Sequence, residues 1–312
     1  MKLKQLMNVI YDDHYNFDLG VLKYLHPFEG AKFRDIFEAI KPSSKINIIS
    51  PKQPVEMVVI NEFLSSIMQH RVRNKNGILK ALEIPNIPFL SFNFIDKKIL
   101  TPMRWGVAGT QFGSEQVLQK GGVYWNLSGG YHHAMHQNME GFCIYNDVGI
   151  VYDQLIKNKL LSANDKVLII DTDAHHGNGN AYTFMDNSNV TILDVYNSDI
   201  YPTSKFTRDR VNISVPLKSG TQGDQYLEVF KKSLEKITNE YRLAYVIAGT
   251  DTLTSDKLGK LKLTVQDICN REYLTLQTLK NLRIPTVILG GGGYSKESAK
   301  AVTEAIIYCE NF

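Results

Sequence analysis

The sequence lacks the features of a disulfide-bonded, secreted or membrane-spanning chain. Its three cysteines, Cys143, Cys269 and Cys309, are an odd number without CxxC spacing, which argues against a disulfide framework or a zinc finger. No run reaches the roughly 18 apolar residues needed to cross a bilayer, and the first residues lack the apolar core of a secretory signal. We therefore expect a cytoplasmic protein without a membrane span.

The chain also lacks a strong charge of either sign. Its formal net charge is only +3, and the Lys and Arg residues are scattered without a basic arm, so no direct nucleic-acid partner is expected. No repeat, low-complexity tract or linker divides the 312 residues. We expect one domain over residues 1–312. The sequence carries no indication of oligomeric state.

What the chain does contain is a series of short apolar runs rich in β-branched residues, which are typical of strands buried on both faces. Helical patterns lie between them, the clearest from Gly223 to Tyr241, and the least regular stretch, 51–102, is expected to be helical elaboration. The alternation predicts an α/β domain with an open, mostly parallel sheet flanked by helices on both faces. The predicted strands are 8–11, 46–50, 123–127, 166–171, 190–195, 245–249 and 285–291.

Ligands of such sheets bind where loops leave the carboxyl ends of the strands, and unusual residues follow several of the runs. Asp171, Asp173 and His175 alternate at the end of one predicted strand, so they share a face. Asp251 directly follows another run. Oxygen and nitrogen donors of this kind suit Zn²⁺, and three protein ligands leave the open position of a catalytic site. The alternative is a helix-capping carboxylate beside a core histidine.

Two further segments point to proton transfer and oxyanion stabilisation. His132 and His133 follow Gly129-Gly130, whose permissive backbone lets a tandem pair face one site, and histidine is a natural acid and base near neutral pH. Tyr294 follows four glycines and could donate its hydroxyl to an oxyanion. Taken alone, the histidine pair would fit a metal-free surface loop better than a catalytic site.

Together these residues resemble the histone deacetylase family of the arginase/deacetylase fold, over nearly the whole chain from HPF at 26–28. The segments DVYN at 194–197 and IYP at 200–202, with the short HPFEG, look most similar to class IV members. The other matching segments are GGYHHA at 129–134, GFCIYND at 141–147, DTDAHHGNG at 171–179, GTDTLTSDKLG at 249–259 and LGGGGY at 289–294.

The resemblance implies that the single domain is a zinc-dependent lysine deacylase with one Zn²⁺ per chain, held by Asp173, His175 and Asp251. It implies that the Tyr294 hydroxyl polarises the substrate carbonyl. His133 would be the general base for the attacking water and the acid for the leaving lysine amine.

By the same resemblance, His132 would be an electrostatic partner oriented by Asp171. Asn178 stands where class I members carry an aspartate beside the second histidine. Removing that negative charge should lower the pKa of His133, because a neighbouring anion favours imidazolium. The orientation of His133 would then depend on a neutral amide.

Substrate-binding positions also carry over from the family. Gly141 and Phe142 match one wall of the acyl-lysine tunnel, with Tyr201 as the opposite wall and Leu258 at the rim. Family members bind a monovalent cation near the backbone of the metal loop, so K⁺ is a secondary expectation. Asp194 stands where class I enzymes place a serine, which leaves the details of that cation site open.

Three other interpretations remain. An arginase-like hydrolase would need a second metal, for which Asn178 and Thr252 are poor ligands. An acetylpolyamine or small-molecule amidohydrolase of the same family would share the catalytic residues, and a non-catalytic acyl-lysine binder would share the fold. The expected substrate is an acylated lysine of a protein or peptide, with an acetyl or longer acyl chain.

Overall fold

The apolar runs assemble into one parallel sheet in a computed structural model that describes residues 6–17 and 30–311. Within these residues the sheet has eight strands in the order β2-β1-β3-β8-β7-β4-β5-β6. The strands are β1 (Met7–Ile10), β2 (Ile46–Ile49), β3 (Val123–Asn126), β4 (Lys166–Asp171), β5 (Val190–Asn197), β6 (Ile213–Leu217), β7 (Tyr241–Ile247) and β8 (Thr286–Leu289). The HPF segment at 26–28 lies outside the described residues.

Helices connect these strands, and several begin at identifiable caps. One example is the helix that begins after Thr264, whose side chain and that of Asp267 form a reciprocal capping box. No helix among the described residues is long and apolar enough to cross a membrane. The helices are α1 (Lys32–Ile40), α2 (Met57–Phe63), α3 (Ser66–Arg71), α4 (Lys75–Ala81), α5 (Phe92–Ile95), α6 (Thr101–Lys120), α7 (Asp147–Lys157), α8 (Asn178–Thr183), α9 (Lys205–Arg208), α10 (Gly223–Leu234), α11 (Val265–Asn281) and α12 (Ser298–Cys309).

Both faces of the sheet are covered. Successive residues of β7 point to opposite faces, yet 243–247 are all fully buried. On one face α6 contacts the central strands, and the Tyr245 hydroxyl lies 2.9 Å from Ser114 Oγ. A second helical layer consists of α1, α12, α11 and α10, packed in that order. The predicted α/β class with a flanked parallel sheet is confirmed.

Two details differ from the sequence-based prediction. The helix expected from Gly223 to Tyr241 ends at Leu234, and Tyr241 instead pairs with Lys166 as the first residue of β7. Strand β6 is absent from the predicted runs because it contains Pro216. Proline is tolerated at an edge strand, and β6 is the edge of the sheet. The irregular stretch 51–102 contains the short helices α2 to α5, as expected, joined by non-helical segments such as 82–91.

A buried ion pair lies behind the carboxyl ends of β4 and β7. Arg271 of α11 is fully buried and donates to Glu272 Oε1, from Nε at 2.9 Å and also from Nη2. Its Nη1 donates to the Thr172 carbonyl oxygen at 3.0 Å and to Thr252 Oγ1 at 3.3 Å. One guanidinium therefore connects the loops that follow two neighbouring strands.

We predict that Arg271→Met lowers the free energy of unfolding by about 3–5 kcal/mol, because it leaves Glu272 buried without its counter-charge. Urea denaturation measures the change. Replacing both partners, as Arg271→Met with Glu272→Leu, should cost less than the single substitution, since no unpaired charge remains.

The matched control is the exposed i,i+4 pair of Glu228 and Lys232. There Lys232→Met should change the free energy of unfolding by less than about 1 kcal/mol. Equal losses at Arg271 and Lys232 would contradict a stabilising role for the buried pair.

Candidate active site

Four adjacent strands, β3, β8, β7 and β4, end beside one another and send their loops to one place. The loop after β3 carries the two histidines, and the loop after β8 carries the glycines and Tyr294. The loops after β7 and β4 carry Asp251 and the Asp171–His175 segment. The structure therefore brings together the residues predicted from the sequence.

Backbone hydrogen bonds join these loops. Gly291 donates to the Gly129 carbonyl oxygen at 3.2 Å, and Thr250 donates to the Gly292 carbonyl oxygen at 2.9 Å. Gly291 has a φ of +65°, and a Cβ there would lie 2.8 Å from the Gly249 nitrogen. The glycine run thus permits a close backbone approach that a side chain would prevent.

Asp173, His175 and Asp251 form a cluster with the geometry of a metal site. Their candidate ligand atoms all lie within 4.8 Å of one another. His175 Nδ1 is 2.7 Å from Asp251 Oδ2 and 3.1 Å from Asp173 Oδ1. The remaining carboxylate oxygens accept from Gly292 N at 2.7 Å and Ala174 N at 2.9 Å, which fixes both carboxylates.

The protonation of this cluster shows how strongly it favours positive charge. Burial opposes a charged His175, but hydrogen bonds to Asp173 and Asp251 raise its pKa to about 10. Burial and the nearby Asp173 charge raise the pKa of Asp251 to about 7. Despite burial, His132 and His175 hold the pKa of Asp173 well below its usual value. His175 therefore carries a proton at neutral pH in the metal-free protein.

His132 is held as the positive member of the histidine pair. Its Nδ1 lies 2.8 Å from Asp171 Oδ2. Burial lowers the pKa of His132, but the charges of Asp171 and Asp173 outweigh this effect and raise it to about 9. The expected contact between His132 and Asp171 is present.

His133 is held as the neutral member. Burial, followed by the positive charges of His132 and His175, lowers its pKa well below the usual value. Burial is the largest cause and the Asn178 hydrogen bond acts the other way. The expected effect of lacking an aspartate at 178 therefore stays a prediction. Gly141 packs against the imidazole so closely that a Cβ would lie 2.4 Å from His133 Cδ2.

Two cavities meet at this point. The outer one, of about 420 Å³, is an open mouth that includes Tyr201 and Leu258 along with His175. The inner one, of about 70 Å³, is bounded by apolar side chains and by the loop after β3. Four residues line both cavities, namely His133, Gly141, Phe142 and Tyr294.

The wall between the cavities is strained and aromatic. Phe142 has a φ of +63°, which is rare for a residue with a bulky side chain, and its ring lies 5.5 Å from that of Tyr294 in a T-shaped contact. Burial and the charges of Asp173 and Asp251 raise the pKa of Tyr294 well above its ordinary value. Its hydroxyl therefore keeps its proton and can donate a hydrogen bond.

The sequence-based reasoning missed the residue that anchors the histidine loop. Asp147 is fully buried, and its carboxylate accepts from Gly130 N at 3.0 Å, from Tyr131 N at 2.9 Å and from Thr110 Oγ1 at 2.7 Å. Burial raises the pKa of Asp147, and the hydrogen bonds from these donors act against it by stabilising the charged carboxylate. Its position at the end of GFCIYND and at the start of α7 was the available signal.

It also missed Lys32, which is buried on the apolar face of α1 with Ile36 and Ile40. Burial lowers the pKa of Lys32 to about 8, while the charges of Asp251, Asp173 and Asp256 act against this effect. Its Nζ has no hydrogen-bond partner among the described residues. A lysine at a position with apolar i+4 neighbours was the signal in the sequence.

Comparison with known proteins agrees with this geometry. Residues 26–309 match the histone deacetylase domain family. The chain is 29% identical to histone deacetylase 2 of Arabidopsis thaliana over 304 residues, which cover 96% of this chain and 78% of that protein. It is 32% identical to the acetoin utilization protein AcuC of Staphylococcus aureus over 184 residues, which cover 54% of this chain and 46% of that protein.

An uncharacterized protein of Picosynechococcus is 32% identical over 192 residues, which cover 61% of this chain and 62% of that protein. The matches to the cyanobacterial and staphylococcal proteins thus span less than two thirds of those proteins. The family match covers the four loops of the site and nearly all of the sheet. On this match, the chain belongs to the histone deacetylase family.

Proposed function

We propose that the protein is a zinc-dependent hydrolase that removes an acyl group from the side-chain nitrogen of lysine in a protein or peptide. The observation that carries the proposal is the junction of the two cavities. There, His133 and Tyr294 line both the mouth and the inner cavity. His175 of the metal cluster lines the mouth beside them. An extended side chain entering the mouth would bring its amide to this junction.

The residues present fit one zinc ion. Asp173, His175 and Asp251 supply two carboxylates and an imidazole nitrogen, a donor set that Zn²⁺ uses with an open fourth position. Gly292 leaves room beside them, since a Cβ there would lie 2.7 Å from Asp173 Oδ2 and 3.0 Å from Asp251 Oδ2. When bound, zinc supplies Lewis acidity that polarises the substrate carbonyl and the attacking water.

The walls of the mouth bind and orient the substrate. Gly141 and Phe142 flank one side of an extended lysine side chain, with Tyr201 opposite and Leu258 at the rim. These surfaces exclude water from the amide and strengthen every electrostatic contact made to it. The rim carries acidic Glu83 and basic Lys257 among its charges, so it offers no uniform attraction for a polycation.

Proton transfer is divided between the two histidines. Neutral His133 takes a proton from the attacking water and returns it to the leaving lysine nitrogen. Positively charged His132, oriented by Asp171, stabilises the negative charge that develops nearby. The protonated Tyr294 hydroxyl donates to the oxyanion.

The inner cavity favours acyl groups longer than acetyl. Its volume of about 70 Å³ is several times the roughly 10–15 Å³ that one water molecule requires. Its far wall is apolar and comes from α1, the 82–84 turn, the helical turn 96–100 and the start of α6. It consists of Phe33, Leu82, Ile84, Ile99 and Met103. An acyl chain longer than acetyl would bury its methylenes there.

A monovalent cation site is also part of the proposal. Asp194 is fully buried and uses Oδ2 to accept from Gly177 N at 3.0 Å and to contact His176 Nδ1 at 2.6 Å. Its Oδ1 has no hydrogen-bond partner among the described residues, and such an oxygen suits K⁺.

Assignment to class IV and a cytoplasmic location stay predictions from the sequence.

We expect His133→Ala to lower kcat on an acylated lysine peptide by about 10²–10⁴-fold, the usual contribution of a general acid–base group. Tyr294→Phe should lower kcat by about 10²–10³-fold because one oxyanion donor is lost. Both are measured by the release of free lysine peptide, with an acetylpolyamine assayed in parallel. Unchanged turnover in both variants would contradict the roles given to His133 and Tyr294. A wild type inactive on both substrates would leave a non-catalytic binder, and turnover confined to the polyamine would replace the lysine substrate.

Zinc binding should release protons and strengthen as pH rises. His175 has a pKa of about 10 without metal, so it is protonated at pH 7 and must lose that proton to bind. Calorimetry in buffers of different ionisation enthalpy should therefore show about one or more protons released per zinc. The same titration should give one metal per chain, and a chelator should abolish turnover. Two metals per chain would favour an arginase-like hydrolase.

Filling the inner cavity should shift the preferred acyl length. In Ile84→Phe, kcat/KM for an octanoyl-lysine peptide should fall about tenfold or more relative to the acetyl peptide, since the added ring occupies the space of several methylenes. Ile84→Leu conserves volume and is the control, and the melting temperature of both variants reports overpacking. An equal loss on both peptides would contradict the proposed acyl site.

A further inference from the structure

Glu140 lies in the turn before Gly141. It connects to His133 of the histidine pair through the side chain of Asn178. Its Oε1 accepts from Asn178 Nδ2 at 2.6 Å, and its Oε2 accepts from Asn138 Nδ2 at 2.7 Å. Asn178 Oδ1 in turn lies 2.6 Å from His133 Nδ1. Asn178 is buried, whereas Glu140 is half-buried.

The chemistry of these groups fixes the direction of each hydrogen bond between Glu140, Asn178 and His133. A carboxylate has no proton to donate, so the amide edge of Asn178 that faces Glu140 must be the NH₂ group. The oxygen edge then faces His133, which must donate from Nδ1. The neutral imidazole carries one proton, so its lone pair lies on Nε2.

We propose that Glu140 is a positioning residue that orients the Asn178 amide and thereby fixes His133 in the tautomer with a free Nε2. This inference rests on the proposed function, in which His133 is the base. Within the part of the chain that the structure describes, only Glu140 and His133 are hydrogen-bonded to the Asn178 side-chain amide. Without the carboxylate, the amide would therefore lose the group that selects one of its two orientations. The flipped amide would present NH₂ to Nδ1 and favour the opposite tautomer, whose Nε2 carries the proton.

The first test compares two substitutions of Glu140. Glu140→Leu removes the acceptor and should lower kcat about tenfold or more, because proton transfer is impaired. Any change in KM would report the simultaneous loss of the Glu140 contact with Tyr201 in the wall of the mouth. Glu140→Gln keeps an acceptor oxygen and should retain kcat within about threefold, a loss below about 1 kcal/mol. Asn138 and Tyr201 are the further side-chain partners of Glu140. Asn138→Ala removes the partner that lies outside the proposed substrate site and is the matched control, expected to stay near wild type.

A second test exchanges the two functional groups. Asn178→Asp alone places two carboxylates at hydrogen-bond distance and should lower kcat. Combining it with Glu140→Gln lets the new amide donate to the new carboxylate, which then accepts from His133 Nδ1. The double variant should recover at least about tenfold over Asn178→Asp, a coupling typical of residues in one hydrogen-bond network. Additive effects would overturn the proposal, and this test does not depend on the folding of Glu140→Leu.

A third test does not depend on turnover. With ¹⁵N-labelled histidine, long-range ¹H–¹⁵N spectra distinguish the two neutral tautomers, and His133→Asn identifies the His133 signals. The wild type should be protonated at Nδ1, and Glu140→Leu should shift this population towards Nε2. An unchanged tautomer together with wild-type kcat in Glu140→Leu would overturn the proposal and leave the deacylase function intact. An inactive wild type would instead overturn the function, while the spectra still decide the role of Glu140.

Discussion

The site depends on carboxylates buried at the ends of neighbouring strands. Asp171, Asp173 and Asp251 are almost fully buried, and a buried carboxylate is costly unless positive charge or hydrogen-bond donors compensate it. Here the compensation comes from His132 and His175, from backbone amides of the adjoining loops and from Lys32. The proton on His175 completes it in the metal-free protein, and a divalent cation would do so more effectively.

This arrangement also separates the roles of two adjacent histidines. Both are buried, so desolvation favours the neutral form of each. His132 faces Asp171 and remains charged, whereas His133 faces a neutral amide and also experiences the positive charge of His132. The charge on one histidine thus helps to keep the other available as a base, and the environments alone separate their pKa values.

The sequence predicts which residues come together at the strand ends, because strands buried on both faces leave a simple signal in which charged residues directly follow apolar runs. It does not predict the edge strand β6, since Pro216 argues against a strand and only the sheet order shows that the position is an edge. It also does not predict Lys32 or Glu140. Their contacts join residues far apart in the chain, and neither lies in a segment with unusual composition.

The different solvation of the two positions explains why the negative charge is at Glu140 and not at residue 178. Residue 178 is buried beside a site that already holds several carboxylates, so another anion there would cost desolvation energy and raise the pKa of His133. Glu140 is half-buried, so water still reaches and screens its charge. The neutral Asn178 amide lies between Glu140 and His133, so it fixes which groups donate and accept hydrogen bonds without placing a charge beside His133. His133 can then be held in one tautomer without an adjacent anion that would favour its protonated form.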